Sequence, residues 1–308
     1  MEVAQNWAQV TVGEAVLQYG LMIVGSVANL YLAGCVFFLL ERIRPAVPGQ
    51  KFFKTDFKNE ALYPIINAAV STPVFTLLSV VLTAHLLEPY MPYHLFGGIV
   101  GEQHLVVQVL FVMLVADVGV WLEHWFAHKV LWDYHALHHV TREVNWLTHA
   151  RVHPVNGITI ALASLFVHFA FGLDGEATAI ATFVVLATAM WEHANIDFAW
   201  PWPLNYLFVS PRFHRWHHSS APEAVDKNLC LVFPFIDLAM GTYYCPDRLP
   251  EAYGVCRFGP EDPVIPDSFR GQMAYPFRRT AARWRAWLTR RRRPAPAPTP
   301  GDVGSSAA

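Results

Sequence analysis

LVVQVLFVMLVADVGVWLEHWFAHKVLWDYHALHH, residues 105–139, is the stretch that decides how this chain is built. Residues 105–123 are almost wholly apolar and long enough to cross a bilayer. No proline interrupts the run from Leu105 to about Val130, so one helix leaves the apolar segment and carries His124 and His128 at its end. Residues four apart share a helix face, as do residues three apart, so His124 and His128 project together. His135, His138 and His139 follow as an HxxHH cluster with the same property. Residues Val130–Tyr134 suffice for a tight turn into a second helix, which lets the two imidazole faces converge. Asp117 lies on the His124 face, seven residues earlier. An acid inside an apolar span faces the interior, where it either orients a ligand or makes a structural contact.

Working outward, FHRWHH repeats the HxxHH pattern with His214, His217 and His218. Fifteen histidines scattered over 308 positions would give on the order of 0.04 such motifs by chance, so two copies require an explanation. Neutral imidazole is the commonest metal-ligating side chain. His153 in RVHP and His193 in HANID raise the candidates to ten, about five for each of two ions, which leaves each ion a position for water or oxygen. His149 is a weaker candidate. An all-nitrogen set suits iron, zinc or copper rather than magnesium or calcium. Structural zinc needs only four ligands, and HWFAH lacks the glutamate of a zincin HExxH motif. Ligating histidines usually donate their second N–H to a carboxylate or carbonyl. Glu123, Asp133, Glu192, Asp197 and Asp226 stand beside the clusters for that task, or are ordinary surface charges.

The rest of the chain sets the context. It is 54% hydrophobic and 15% charged, with net charge −2, against about 25% charged residues in soluble domains. This composition indicates a membrane protein and gives no reason to expect a nucleic-acid partner. Four cysteines without a CxxC pair read as reduced thiols. Apolar stretches at 14–40, 62–87, 105–123, 156–172 and 176–192 are candidate spans, the last two being short enough to form a re-entrant hairpin instead. Every Lys and Arg falls within 42–58, 129–151 or 212–293. The positive-inside rule then places the N-terminus outside and all three histidine clusters, with the C-terminus, in the cytoplasm. His85, His94, His104 and His168 fall toward the outer side and receive no role.

The expected fold is all-α: a polytopic helical bundle with a cytoplasmic helical cap holding a dimetal site. Residues 1–123 supply spans 1–3 and a basic connector lying on the cytoplasmic surface. Residues 124–258 form the histidine-bearing region with spans 4–5, 259–293 an interfacial segment, and 294–308 a disordered tail. Phe277–Arg293 mixes Trp284, Trp287 and Leu288 with arginines, as in an amphipathic helix on anionic lipid or a solvated basic tail. Trp121, Trp146, Trp191, Trp216 and Phe213 are candidates to line a substrate channel, with core or interfacial packing the favoured reading. Arg151, Arg212 and Arg215 either hold an anionic headgroup or are positive-inside charges.

Asp117–His139, RVHP, HANID, SPRFHRWHHSS and DKNLC together resemble the fatty acid hydroxylase / sterol desaturase superfamily of integral-membrane di-iron enzymes, over roughly Val106–Tyr244. The resemblance implies a ligand set of His124, His128, His135, His138, His139, His153, His193, His214, His217 and His218. Asp226 and Asn228 match its D-x-N motif, and with Asp117 they are the expected supporting residues of catalysis. Leu229-Cys230 departs from the aromatic–small pair often found there. The implied activity is O2-dependent oxidation of a membrane-lipid C–H bond by two iron ions, hydroxylation first and desaturation second. With no cytochrome-b5-like segment, electrons are expected from a separate ferredoxin, cytochrome or reductase. The expected location is a bacterial inner membrane. A zinc-dependent lipid hydrolase and a membrane metal transporter are the rivals from other classes.

Overall fold

The computed structural model describes residues 12–54, 56–82, 100–171, 175–255 and 264–291, and among these the fold is helical without a named strand. Helix α1 spans Val12–Ile43 and leaves Leu17, Leu21, Val24, Leu32 and Leu39 exposed, the all-round apolar surface of a helix facing lipid. Helix α2 (Phe57–Ile66) passes through a π turn at Asn67–Ser71 into α3 (Thr72–Leu82). The π turn follows Pro64, which has no N–H to continue the ladder. Helix α4 (Leu105–Lys129) is unbroken through His124 and His128, as the sequence requires.

Among the described residues, three stretches are long and apolar enough to cross a membrane: Val16–Ile43, Phe57–Leu78 and Leu105–Lys129. They correspond to the first three expected spans. The fourth and fifth fall on α6 (Pro154–Phe171) and α7 (Gly175–His193), which pack lengthwise against α4. His85, His94, Cys256 and the 294–308 tail lie outside the described residues.

At the end of this bundle the short helices form a cap. Helix α5 (Trp132–His139) follows α4 after a turn, and a 3-10 turn at Trp146–Ala150 leads back to α6. Helix α8 (Pro211–His217) has Ser210 accepting from the Phe213 N–H and Pro211 in its first turn, a start that fixes where His214 falls. Helix α9 (Pro234–Met240) stops at Gly241, whose φ of 72° is the left-handed conformation that ends helices. Helix α10 (Phe269–Arg291) lies over α5, with Arg283 3.1 Å from Asp133 and Phe277 against Tyr134. It exposes Trp284, Trp287 and Leu288, the apolar face expected of an interfacial helix.

Most of the basic connector is exposed or half-buried, but Glu41, Lys54 and Glu60 turn inward. Lys54 is buried, 2.8 Å from the buried Glu60, and its ammonium donates to Thr141 Oγ1. Glu41 accepts from the backbone N–H groups of Trp146 and Asn195 at 2.8 and 2.9 Å. The cause is the irregular loop 140–150: its buried backbone groups need partners, and α1 and the connector supply charged ones. Packing supports the same contact. A Cβ at Gly34 of α1 would lie 2.1 Å from the Trp146 ring, so only glycine admits the indole there.

Candidate metal centre

Nine histidines converge in two adjacent groups. His124, His128, His135, His139 and His217 form one; His138, His193, His214 and His218 form the other, with ligand atoms within 4.8 Å of one another in each. The division follows helix geometry. Each residue advances about 100° around a helix, so positions i and i+4 nearly eclipse while i+3 lies about 60° to the other side. Accordingly, His135 and His139 go to the first group while His138 crosses to the second. His214 and His218 go to the second while His217 crosses to the first. Each HxxHH therefore serves both groups, and the rings of His139 and His218 stack across the boundary at 4.7 Å.

The imidazoles are held by their outward nitrogens. Residues 226–229 act as a comb for the first group. His128 Nδ1 donates to Asp226 Oδ1 at 3.0 Å, His217 Nδ1 to the Lys227 carbonyl at 2.8 Å, and His124 Nδ1 to the Leu229 carbonyl at 2.9 Å. Asp226 and Asn228 both have φ of 58°, a left-handed conformation costing most residues about 1–2 kcal/mol and tolerated best by Asp and Asn. That is a physical reason for the D-x-N pattern. Asn228 locks the turn, donating to the carbonyls of Phe213 and Tyr244 and accepting from the Tyr244 N–H, each at 2.7 Å. His135 Nδ1 donates to Asn156 Oδ1 at 2.9 Å, and Glu123 accepts from the Asn156 amide at 2.8 Å. In the second group His193 Nδ1 donates to the Ala189 carbonyl at 2.7 Å, and His214 Nδ1 lies 3.3 Å from the buried Glu192.

Nδ1 of His138, His214 and His218 has no hydrogen-bond partner, whereas in both groups the Nε2 atoms converge. Those of His124 and His139 each lie 3.1 Å from His135 Nε2, and His193 Nε2 lies 3.1 Å from His138 Nε2 and 3.0 Å from His214 Nε2. His128 Nε2 and His217 Nε2 are buried without any hydrogen-bond partner. Buried nitrogens are rarely left so, and a bound cation satisfies them. Burial holds His135, His139, His214, His217 and His218 well below the usual imidazole range, with neighbouring histidines adding to the effect, and lowers His138 to about 3. These rings are neutral near pH 7, the form that coordinates metal. Asp226 is lowered to about 2, chiefly by its hydrogen bond to His128. The donor set fits a pair of metal ions.

The remaining expected residues sit elsewhere. His153 lies outside both groups, its Nε2 donating to the Met273 carbonyl at 3.2 Å between Tyr134 and Phe277. His149 lies beside the second group, its ring 6.4 Å from His193 and its Nδ1 donating to the Trp146 carbonyl. Of the two roles open to Asp117, the structural one is seen: it accepts from the backbone N–H groups of Leu231, Val232 and Phe233 at 2.6, 3.0 and 2.7 Å. Asp133 pairs with Arg279 and Arg283, and Asp197 with Arg212, so neither reaches a histidine. Trp121, Trp146, Trp216 and Phe213 are buried in the core, and Trp191 donates to the Val209 carbonyl. Arg151 is fully buried on the Leu137 carbonyl, Asp56 and Gln272, Arg215 is fully buried on the Val144 carbonyl and Asn195, and Arg212 is held by Asp197 and Asp247. None of the three is free for a headgroup. Sequence reading missed Asn156, although a polar residue opening an apolar helix carried the same signal as Asp117.

The fatty acid hydroxylase family matches residues 109–242 of this chain, a segment that contains both histidine groups. Ornithine lipid hydroxylase OlsE of Rhizobium tropici is 29% identical over 178 residues, covering 56% of this chain and 51% of that protein. Alkylglycerol monooxygenase of Danio rerio is 27% identical over 148 residues, covering 46% of this chain and 31% of that protein. The chain thus spans about half the length of the first relative and under a third of the second. No solved structure matches it. With a family match over residues 109–242 and lipid hydroxylase and monooxygenase relatives, the histidine-bearing region of the chain is similar to the fatty acid hydroxylase family.

Proposed function

We propose that the chain is a multi-pass membrane di-iron oxygenase that hydroxylates a C–H bond of a membrane lipid. The observation that carries this reading is the convergence of nine neutral imidazoles in two adjacent groups, with His128 Nε2 and His217 Nε2 of the first group buried without a hydrogen-bond partner. The nine converging histidines are the proposed ligands, five around one ion and four around the other; His153 would then serve the fold. Two iron ions, when bound, supply the chemistry that activates O2. Overall, one C–H bond, O2, two electrons and two protons give one C–OH bond and water. The electrons come from a separate ferredoxin, cytochrome or reductase.

The chain's own part is orientation and exclusion of water. The 226–229 comb fixes three rings of the first group, and the Asn156–Glu123 pair fixes a fourth through its hydrogen bond to His135. Asp117 and Asp237 hold the 229–233 backbone behind the comb; Asp237 accepts from the Leu229 and Cys230 N–H groups at 2.9 Å. Orientation of this kind is worth about 10–100-fold in metal affinity or activity. Desaturation uses the same residues and is the second reading. Transport is disfavoured because the groups adjoin at one end of α4 rather than marking a path along it.

The test is mass spectrometry of membrane lipids from cells lacking the gene, complemented with the wild type or with His217→Ala/His218→Ala, alongside metal analysis of both proteins. One added oxygen that needs the wild type and air supports the reading. Loss of two hydrogens supports desaturation. Turnover that persists without O2 means a zinc-type hydrolase instead.

A further inference from the structure

We propose that a pocket at the Ile43 end of α1 binds the phosphate of an anionic phospholipid, held there by its headgroup and not presented to the metal centre. Binding there requires α1 in a bilayer but not the oxidation proposed above. The pocket, about 540 Å³, falls in the range of about 300–1,000 Å³ usual for small-ligand sites. Phe38 and Arg42 of α1, Lys51 and Phe52 of the connector, and the buried Asn145 and Asn195 are among its walls, and no histidine is. Gly49, with φ of 79°, belongs to the turn that brings Lys51 back to the pocket holding Arg42.

The lining chemistry selects an anion. Arg42 and Lys51 are exposed, and neither pairs with an acid among the described residues. The Arg42 guanidinium lies 4.2 Å over the Phe38 ring, which steadies it by its face and leaves its N–H edge for an oxyanion. Asn145 is fully buried, and its Nδ2 has no hydrogen-bond partner. Such donors are rare, and this one lacks the kind of acceptor that a phosphate oxygen supplies. Glu41 is the only acid in the lining, and its Oε1 already accepts from the N–H groups of Trp146 and Asn195.

The surroundings select a lipid over free phosphate. Leu39 and Ile43, beside Arg42 on α1, are 61% and 78% exposed on the apolar surface of that helix. Basic residues directly outside a span meet the phosphates of anionic lipids. A phospholipid then lies with its tails along α1 and its phosphate between Arg42 and Lys51. The pocket also touches the frame of the second histidine group. Asn195, two residues after His193, accepts at Oδ1 from the Val47 N–H and from Arg215, each at 3.0 Å. A lipid held there clamps the connector onto the loop that follows His193.

The experiment titrates the full-length protein in mild detergent with phosphatidylglycerol or phosphatidylcholine, with and without sodium phosphate, and reads bound lipid by native mass spectrometry. The first phosphatidylglycerol should bind at least about ten-fold more tightly than phosphatidylcholine. Arg42→Ala/Lys51→Ala should abolish that preference, and Arg42→Lys/Lys51→Arg, which keeps both charges, should retain most of it. Lys58→Ala/Arg270→Ala removes two exposed cations outside the pocket and should change the preference by less than about two-fold. Equal losses in the two alanine variants, or equal affinity of the wild type for both lipids, would overturn the proposal. Displacement of the lipid by millimolar phosphate would overturn it too, as the mark of a free-phosphate site. Metal-free and metal-loaded protein should give the same answer, so a failure here leaves the oxidation reading standing.

Discussion

The two histidine groups share helices but are built differently. The first has five imidazoles, three of them steadied by one four-residue strip, and it opens on a cavity of about 300 Å³ lined in part by His128, His139 and His217. The second has four, every one buried, and is steadied by a carboxylate and a backbone carbonyl within α7. No lining residue of that cavity belongs to it. One group opens on a cavity, whereas the other is enclosed. The two groups are linked mechanically, because α5 and α8 each send histidines to both.

The comparison breaks most decisively through the histidines that cross. Substituting His138 or His217 by Ala should abolish activity and lower metal content toward one ion per chain or less, read by elemental analysis. Full metal retention in either variant would remove that residue from the centre. Asp226→Asn sharpens the asymmetry next. It keeps a residue that tolerates φ of 58° but removes the carboxylate charge facing His128. The expected loss is about 10–100-fold in metal affinity at the first group only, measured as two-step metal titration. Equal weakening of both steps would mean that the groups are not independent.

Acid should act on both groups at once. His138 is lowered to about 3 and five other ring groups lie well below the usual range, all first by burial. In the unfolded chain a histidine titrates at about 6.5, so the unfolded state binds more protons below that pH. Stability is therefore complete above pH 6.5 and falls as pH drops toward 3. Thermal unfolding of metal-free protein in detergent should show a large drop from pH 7.5 to pH 5, and a flat profile would contradict the buried neutral rings. His153→Ala should do least to the centre. Metal content stays unchanged, with a stability loss of about 1 kcal/mol for the contact with Met273. Loss of one ion would return His153 to the ligand set.

Much of this molecule is legible from residue order. Helix α4 could be followed from its apolar run into His124 and His128 because nothing in the sequence interrupts it. The clustering of eight histidines at helical spacing required a shared face, and the D-x-N pattern marked Asp226 without its partner His128, which lies 98 residues away. The burial of Lys54 and Glu41 in the connector was not legible. Lys54 and Glu41 look like surface charges until loop 140–150 folds against them, since that loop's unpaired backbone is a property of the tertiary structure. Asp117 showed its position but not its partner, because the backbone at 231–233 lies more than a hundred residues away.

The sequence by itself determined that these imidazoles share helix faces, that the bundle is helical and apolar, and that the chemistry gathers at one end of α4. Only the tertiary structure decided which ring joins which group. The reason is geometric: a helix fixes angles among its own side chains, and where those directions meet depends on how α4, α5, α7 and α8 are docked. It also decided that RVHP places its histidine against α10 rather than the centre, and that the strip from Asp226 to Leu229 orients three imidazoles with one carboxylate and two backbone carbonyls. A carbonyl carries no side-chain signature, so its role appears only when the chain is folded.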